Sequence, residues 1–178
     1  MTRSELEHLI RAASAIADDR EIVIIGSQSV LGQFPNAPVA LLASMEADVY
    51  PLSRPERADL IDGAIGEGSH FHEQFGYYAQ GVSEATATLP DGWRDRLVRV
   101  KNANTGGSTG LCLEVHDLAI SKYAAGREKD LLFTATLARH RMTVRKTLLE
   151  RAAWTRLESP LRKLVEGRIV RDFATRRH

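Results

Sequence analysis

Glu21-Ile22-Val23-Ile24-Ile25-Gly26-Ser27-Gln28-Ser29 and, further on, Glu46-Ala47-Asp48-Val49-Tyr50 are the stretches that decide the fold. The first is an apolar run rich in β-branched residues that ends in glycine and serine, the pattern of a buried strand entering a turn. The second is strand-like, and side chains on a strand alternate faces, so Glu46 and Asp48 share one face and Ala47 and Val49 the other. Two carboxylates side by side repel each other. A divalent cation bound through oxygen relieves that repulsion, and so does a solvent-facing edge strand that keeps both charges in water. Gly26 and Ser27 read in two ways as well. They bring backbone N–H groups close to a phosphate, or they make a plain strand-to-helix turn with Ser27 as the N-cap.

Working outward, Ser4-Glu5-Leu6-Glu7 has the spacing of a capping box, and Leu6, Leu9, Ile10, Ala13 and Ala17 form the apolar stripe of a helix ahead of the strand. A short helix or turn is expected after Ser27 and an apolar piece over 38–43. Ser53-Arg54-Pro55-Glu56 repeats the capping pattern, which predicts a helix over 54–65 with Leu60, Ile61 and Ala64 inward. The stretches 96–101 and 110–114 alternate as strands around Asn102-Ala103-Asn104-Thr105-Gly106-Gly107, the mark of a hairpin. From 116 the chain reads as helices over 116–125, 127–141, 144–157 and 160–174, broken at Gly126, Thr143 and Ser159-Pro160. The last of these places Leu161, Leu164, Val165 and Ile169 on one face, expected to be buried. Strand–helix units followed by a helical tail predict an α/β (α+β) fold: a mixed sheet with flanking helices and a C-terminal helical extension. The expected organisation is a core over 1–135 and a basic helical extension over 136–178.

His116-Asp117-Leu118-Ala119-Ile120-Ser121-Lys122-Tyr123-Ala124-Ala125-Gly126-Arg127-Glu128-Lys129-Asp130 completes the pattern. Taken with Ile25-Gly26-Ser27 and Glu46-Ala47-Asp48, it resembles the DNA polymerase β-type nucleotidyltransferase superfamily, in particular the small bacterial branch of abortive-infection and toxin-type members. The resemblance covers roughly residues 20–135. It implies a nucleotidyltransferase fold and Mg²⁺-dependent transfer of a nucleoside monophosphate from an NTP to an acceptor hydroxyl. By the same resemblance Glu46 and Asp48 hold the metal. Gly26, Ser27 and Ser29 lie against the nucleotide, Lys122, Arg127 and Lys129 meet its phosphates, and Asp130 orients the acceptor or completes the metal shell. The pattern is departed from in two places. Aligning Asp48-Val49-Tyr50 as the acidic pair puts tyrosine at the second position, and the later stretch Arg96-Leu97-Val98-Arg99-Val100 offers arginines where a third carboxylate is expected. The alternative is therefore a catalytically degenerate binding module of the same fold, one half of a toxin–antitoxin-like pair.

Composition narrows the class. The 178 residues, 43% hydrophobic, suffice for one domain with a core, and no run is long enough to span a bilayer. Met1-Thr2-Arg3-Ser4-Glu5 lacks an apolar leader, and the single Cys112 excludes an internal disulfide, so a cytoplasmic protein is expected. Net charge is +1, unevenly spread: 139–178 hold 12 Lys and Arg against 4 Asp and Glu, a balance of +8, while 1–138 hold 12 against 19, a balance of −7. The basic tail suits RNA, for instance a tRNA end, as acceptor, with a protein hydroxyl equally open; it also suits an acidic surface in the same chain or in an oligomer. His70, His72, Glu73, Glu114 and His116 lack the spacing of a common zinc site. Tyr77-Tyr78 reads as core ahead of a base-stacking platform. Gly-x-Ser-x-Gly, Walker A and Cys-x-x-Cys motifs are absent, which removes support for hydrolase, P-loop and redox chemistry.

Overall fold

Ile22, Val23 and Ile24 are fully buried because no polar residue interrupts them, and such a strand belongs at the centre of a sheet. The computed structural model describes residues 1–174, and the chain divides into two units. The first unit is Met1–Thr86 with Leu97–Glu114. It carries a mixed sheet of five strands among the described residues, in the order β3-β2-β1-β5-β4. The strands are β1 (Glu21–Ile24), β2 (Glu46–Pro51), β3 (Tyr78–Gly81), β4 (Val98–Val100) and β5 (Thr109–Cys112). β1 lies antiparallel to β2 and parallel to β5, β2 runs parallel to β3, and β4 closes antiparallel on β5. The mixed sheet with flanking helices is the one expected from the sequence, including the antiparallel pair around 102–107.

Helix α1 (Arg3–Ala17) buries Leu6, Leu9, Ile10, Ala13 and Ala17, the stripe read from the sequence. Its cap is not Ser4. Thr2 and Glu5 close the capping box instead, with the Thr2 N–H 2.6 Å from Glu5 Oε2 and the Glu5 N–H 3.3 Å from Thr2 Oγ1. Glu7, the partner Ser4 needed, is buried and accepts from Arg3, Asn102 and Asn104. The second capping box fails similarly. The Ser53 N–H is donated to Asp19 at 2.7 Å, Pro55–Arg57 is a 3-10 turn, and the helix begins later, with α2 (Val30–Gln33) preceding it and α3 at Ala58–Ile65. Ala58, Ile61 and Ile65 are its buried stripe, whereas Leu60 is 54% exposed and Ala64 also faces solvent. A short helix, α4 (His70–Phe75), leads into β3.

The second unit comprises Ala87–Arg96 and, among described residues, 115–174. Four helices form it: α5 (Val115–Ala125), α6 (Glu128–Arg139), α7 (Arg145–Ala153) and α8 (Ser159–Ala174). Leu118, Tyr123, Leu137, Leu148, Val165 and Ile169 are fully buried. On α8 the expected apolar face holds at Val165 and Ile169, but Leu164 is 55% exposed. No helix of the described residues is long and apolar enough to cross a membrane.

Candidate active site

Glycine 26 brings the two decisive stretches together. Past β1, the Ile25 N–H is donated to the Asp48 carbonyl at 3.0 Å, which holds the turn against β2. The Ser29 N–H closes the turn on the Gly26 carbonyl at 3.0 Å, and the Ser29 hydroxyl is donated to the Ile24 carbonyl at 2.6 Å. Gly26 has φ −84°, a value open to any residue, so its lack of a side chain serves space rather than backbone conformation. A Cβ built on it would lie 2.9 Å from Asp48 Cγ and run into Oδ2. Real Cβ atoms do not approach so closely, and any other residue here would displace the carboxylate.

Glu46 and Asp48 are half-exposed on the same strand, while Ala47 and Val49 between and after them are buried, as the alternation requires. Tyr50 follows on that face, buried, with its hydroxyl 3.2 Å from Glu84 Oε2. The parallel register sets Tyr78 beside Glu46 and Gln80 beside Asp48. The Tyr78 hydroxyl is donated to Glu46 Oε2 at 3.1 Å. Burial, then the negative charge of Glu46 and the bond to it, push that hydroxyl up to about 12, so at neutral pH it keeps its proton and acts as a donor. Ser27 is half-buried at the start of the turn; Ser29 is fully buried, its hydroxyl engaged with the backbone. The neighbouring Gln28 donates to the Ser44 carbonyl at 3.2 Å, while its buried Oε1 has no hydrogen-bond partner.

Gln80 and Glu84 do not emerge from the sequence, and Tyr78 reads there as a core residue rather than as a partner of Glu46. Their link to β2 comes from a parallel pairing across more than 30 residues, for which the local alternation around 78 carries no address.

The second unit gathers Lys122, Arg127 and Asp130. Lys122 Nζ is 3.3 Å from Asp130 Oδ1, and Arg127 Nε is 2.7 Å from Oδ2. Asp130 is 1% exposed. Burial alone would raise its carboxyl, but the hydrogen bonds and charges of Arg127 and Lys122 outweigh this and hold it below the usual range. Lys129 lies exposed on the first turn of α6. Of the expected site residues, then, Gly26, Ser27, Ser29, Glu46 and Asp48 cluster in the first unit, and Lys122, Arg127 and Asp130 cluster in the second.

Among the described residues no group of three or more His, Cys, Asp or Glu side chains is placed to hold a metal. His70 faces solvent 3.3 Å from Glu73, and His116 Nε2 accepts the Val144 N–H at 2.9 Å. The oxygen donors of Glu46 and Asp48 on one face, with the bare backbone of Gly26 against Asp48, suit a hard cation such as Mg²⁺.

Neither a curated protein nor a solved structure matches the chain. A family model described as nucleotidyltransferase of unknown function (DUF6036) matches residues 4–135. That span takes in the Gly26 turn, the acidic pair and the Lys122–Asp130 cluster, and the chain belongs to this nucleotidyltransferase family.

Proposed function

We propose that the first unit binds an NTP through Mg²⁺ and that the protein transfers the nucleoside monophosphate to an acceptor hydroxyl. The observation that carries this is the contact of Gly26 with the Asp48 carboxylate, in line with Glu46 on the same face. It leaves the turn's backbone against the Asp48 carboxylate with no side chain between them. Mg²⁺ binds through one or two carboxylates plus substrate phosphates, and Glu46 and Asp48 supply those ligands; when bound, the ion neutralises phosphate charge. Tyr78 fixes one oxygen of Glu46 by donating to it. Gly26 and Ser27 offer N–H groups to phosphate oxygens. The acceptor oxygen attacks the α-phosphorus, the bond to the bridging oxygen of the β-phosphate breaks, pyrophosphate leaves, and the acceptor proton passes to solvent. The +8 balance of residues 139–178 supports RNA as acceptor.

A second reading, binding without transfer as half of a toxin–antitoxin-like pair, is favoured by two observations. The strand beside Asp48 presents Gln80, an amide, and Glu84 is bonded to Tyr50. Thermal melts separate a working metal–nucleotide site from none. At 100 times Kd, Mg²⁺–NTP should stabilise the wild type by about 2.7 kcal/mol. The Glu46→Gln/Asp48→Asn variant should lose that gain, and an equal shift in the variant would sink the assignment.

A further inference from the structure

We infer that the face of the second unit built around Trp93 and Trp154 binds single-stranded nucleic acid by base stacking. These are the only two tryptophans of the chain, and both lie at one junction. Trp93 opens the 3-10 turn Trp93–Arg96, and Trp154 caps the C-terminus of α7. The Asp91 N–H, two residues before Trp93, is donated to the Trp154 carbonyl at 2.9 Å. Trp154 is 48% exposed and Trp93 half-buried.

The Trp154 ring is held rather than loose. The Arg151 and Arg96 guanidinium groups lie 5.0 Å and 5.9 Å from its centroid. Both arginines are anchored on Asp117, which is fully buried: Arg96 Nε is 2.8 Å from Oδ2 and Arg151 Nε 3.2 Å from Oδ1. The Arg162 guanidinium donates to the Ala152 and Thr155 carbonyls at 2.8 Å and 2.9 Å, which ties down the end of α7 on either side of Trp154 in the chain. A pre-positioned aromatic surface loses little entropy on binding. Arg156, two residues on in the chain, has 92% of its side chain in water and lies 3.9 Å from the Asp91 carboxylate. Exposed aromatic rings amid arginines are what single strands require: every base has a π-face to stack, and the phosphates need cations. A duplex hides its base faces and would use only the charge. This inference goes beyond the transfer chemistry and does not depend on it, since Gly26, Glu46 and Asp48 lie in the first unit.

The test uses the full chain and fluorescein-labelled dodecamers of uridine RNA and thymidine DNA, with anisotropy read from about 50 to 300 mM salt. Single strands should bind and quench tryptophan emission. Trp154→Leu, which keeps apolar bulk, should weaken binding about tenfold, Trp154→Phe should restore most of it, and Trp93→Ala should weaken it in a normally melting protein. A Glu46→Gln/Asp48→Asn protein should bind the dodecamers as the wild type does, which separates this face from the nucleotide site. Absence of binding at the lowest salt would overturn the inference. So would affinity unchanged in both tryptophan variants, or equal affinity for a duplex or for poly-glutamate, which would mark a general polyanion or acidic-protein surface.

Discussion

Gly26 is where a single methyl group tests the site. Gly26→Ala places a Cβ against the Asp48 carboxylate, and relieving the overlap moves Asp48 or the turn. Overpacking of this kind costs about 1–3 kcal/mol. Denaturant unfolding should show that loss, and Mg²⁺–NTP should no longer raise the melting temperature. Tyr78→Phe is gentler: it removes one donor to Glu46, with an expected stability loss of about 1 kcal/mol and a weaker nucleotide-dependent shift. The shared face of Glu46 and Asp48 was legible in the sequence because alternation along a strand is a local property. The approach of Gly26 to Asp48 was legible only as an order of motifs, since the distance depends on the antiparallel register Ile24↔Val49. Tyr78 lay beyond local reading for the same reason, and its pairing reads from the sequence as a core residue's.

At the scale of elements, the break between α5 and α6 shows how chemistry outside a helix sets its end. Gly126 has φ 66°, the left-handed value glycine tolerates, and its N–H is donated to the Lys122 carbonyl at 3.0 Å. Arg168 of α8 reaches the Tyr123 carbonyl at 2.5 Å and fills the space over Gly126, so that a Cβ there would meet the guanidinium. Gly126→Ala therefore meets both strain and a clash, and should lower stability by about 1–3 kcal/mol in urea melts; Arg168→Ala alone should cost about 1–2 kcal/mol through the lost cap. The glycine break was readable from composition, while the arginine that covers it was not. Helix starts were less legible than stops. Ser4 and Ser53 both have capping spacing, yet Glu7 is drawn to Asn102 and Asn104, and the Ser53 N–H to Asp19. Long-range partners outbid the local ones. Leu60 and Leu164, which a helical-wheel reading turns inward, are exposed.

On the scale of the whole molecule, acid sensitivity follows from carboxylates in both units. Glu7 and Asp130 are each held below their ordinary values; burial opposes this, and hydrogen bonds with the charges of Arg3 and of Arg127 and Lys122 prevail. A carboxyl depressed in the folded state binds fewer protons there than in the unfolded chain, so stability rises with pH. The contribution is complete above the unfolded values, about 4.3 for Glu and 3.9 for Asp, and is lost as pH falls through the lower folded ones. Melting temperatures should therefore drop steeply below about pH 4, and the Glu7→Gln/Asp130→Asn protein, less stable at pH 6, should show a flatter dependence. A curve of the same slope in wild type and variant would remove these two groups as its cause.

The central claim is that Glu46, Asp48 and the Gly26 turn serve nucleotidyl transfer, and one labelling experiment addresses it directly. The wild-type chain is incubated with Mg²⁺, RNA and an NTP mixture labelled either on the α-phosphate or on the γ-phosphate, and label in RNA and in protein is counted. Transfer of a nucleoside monophosphate predicts incorporation from the α-label only, into RNA, and its loss in the Glu46→Gln/Asp48→Asn variant. Absence of incorporation from either label, or incorporation that persists in the double variant, would contradict the account.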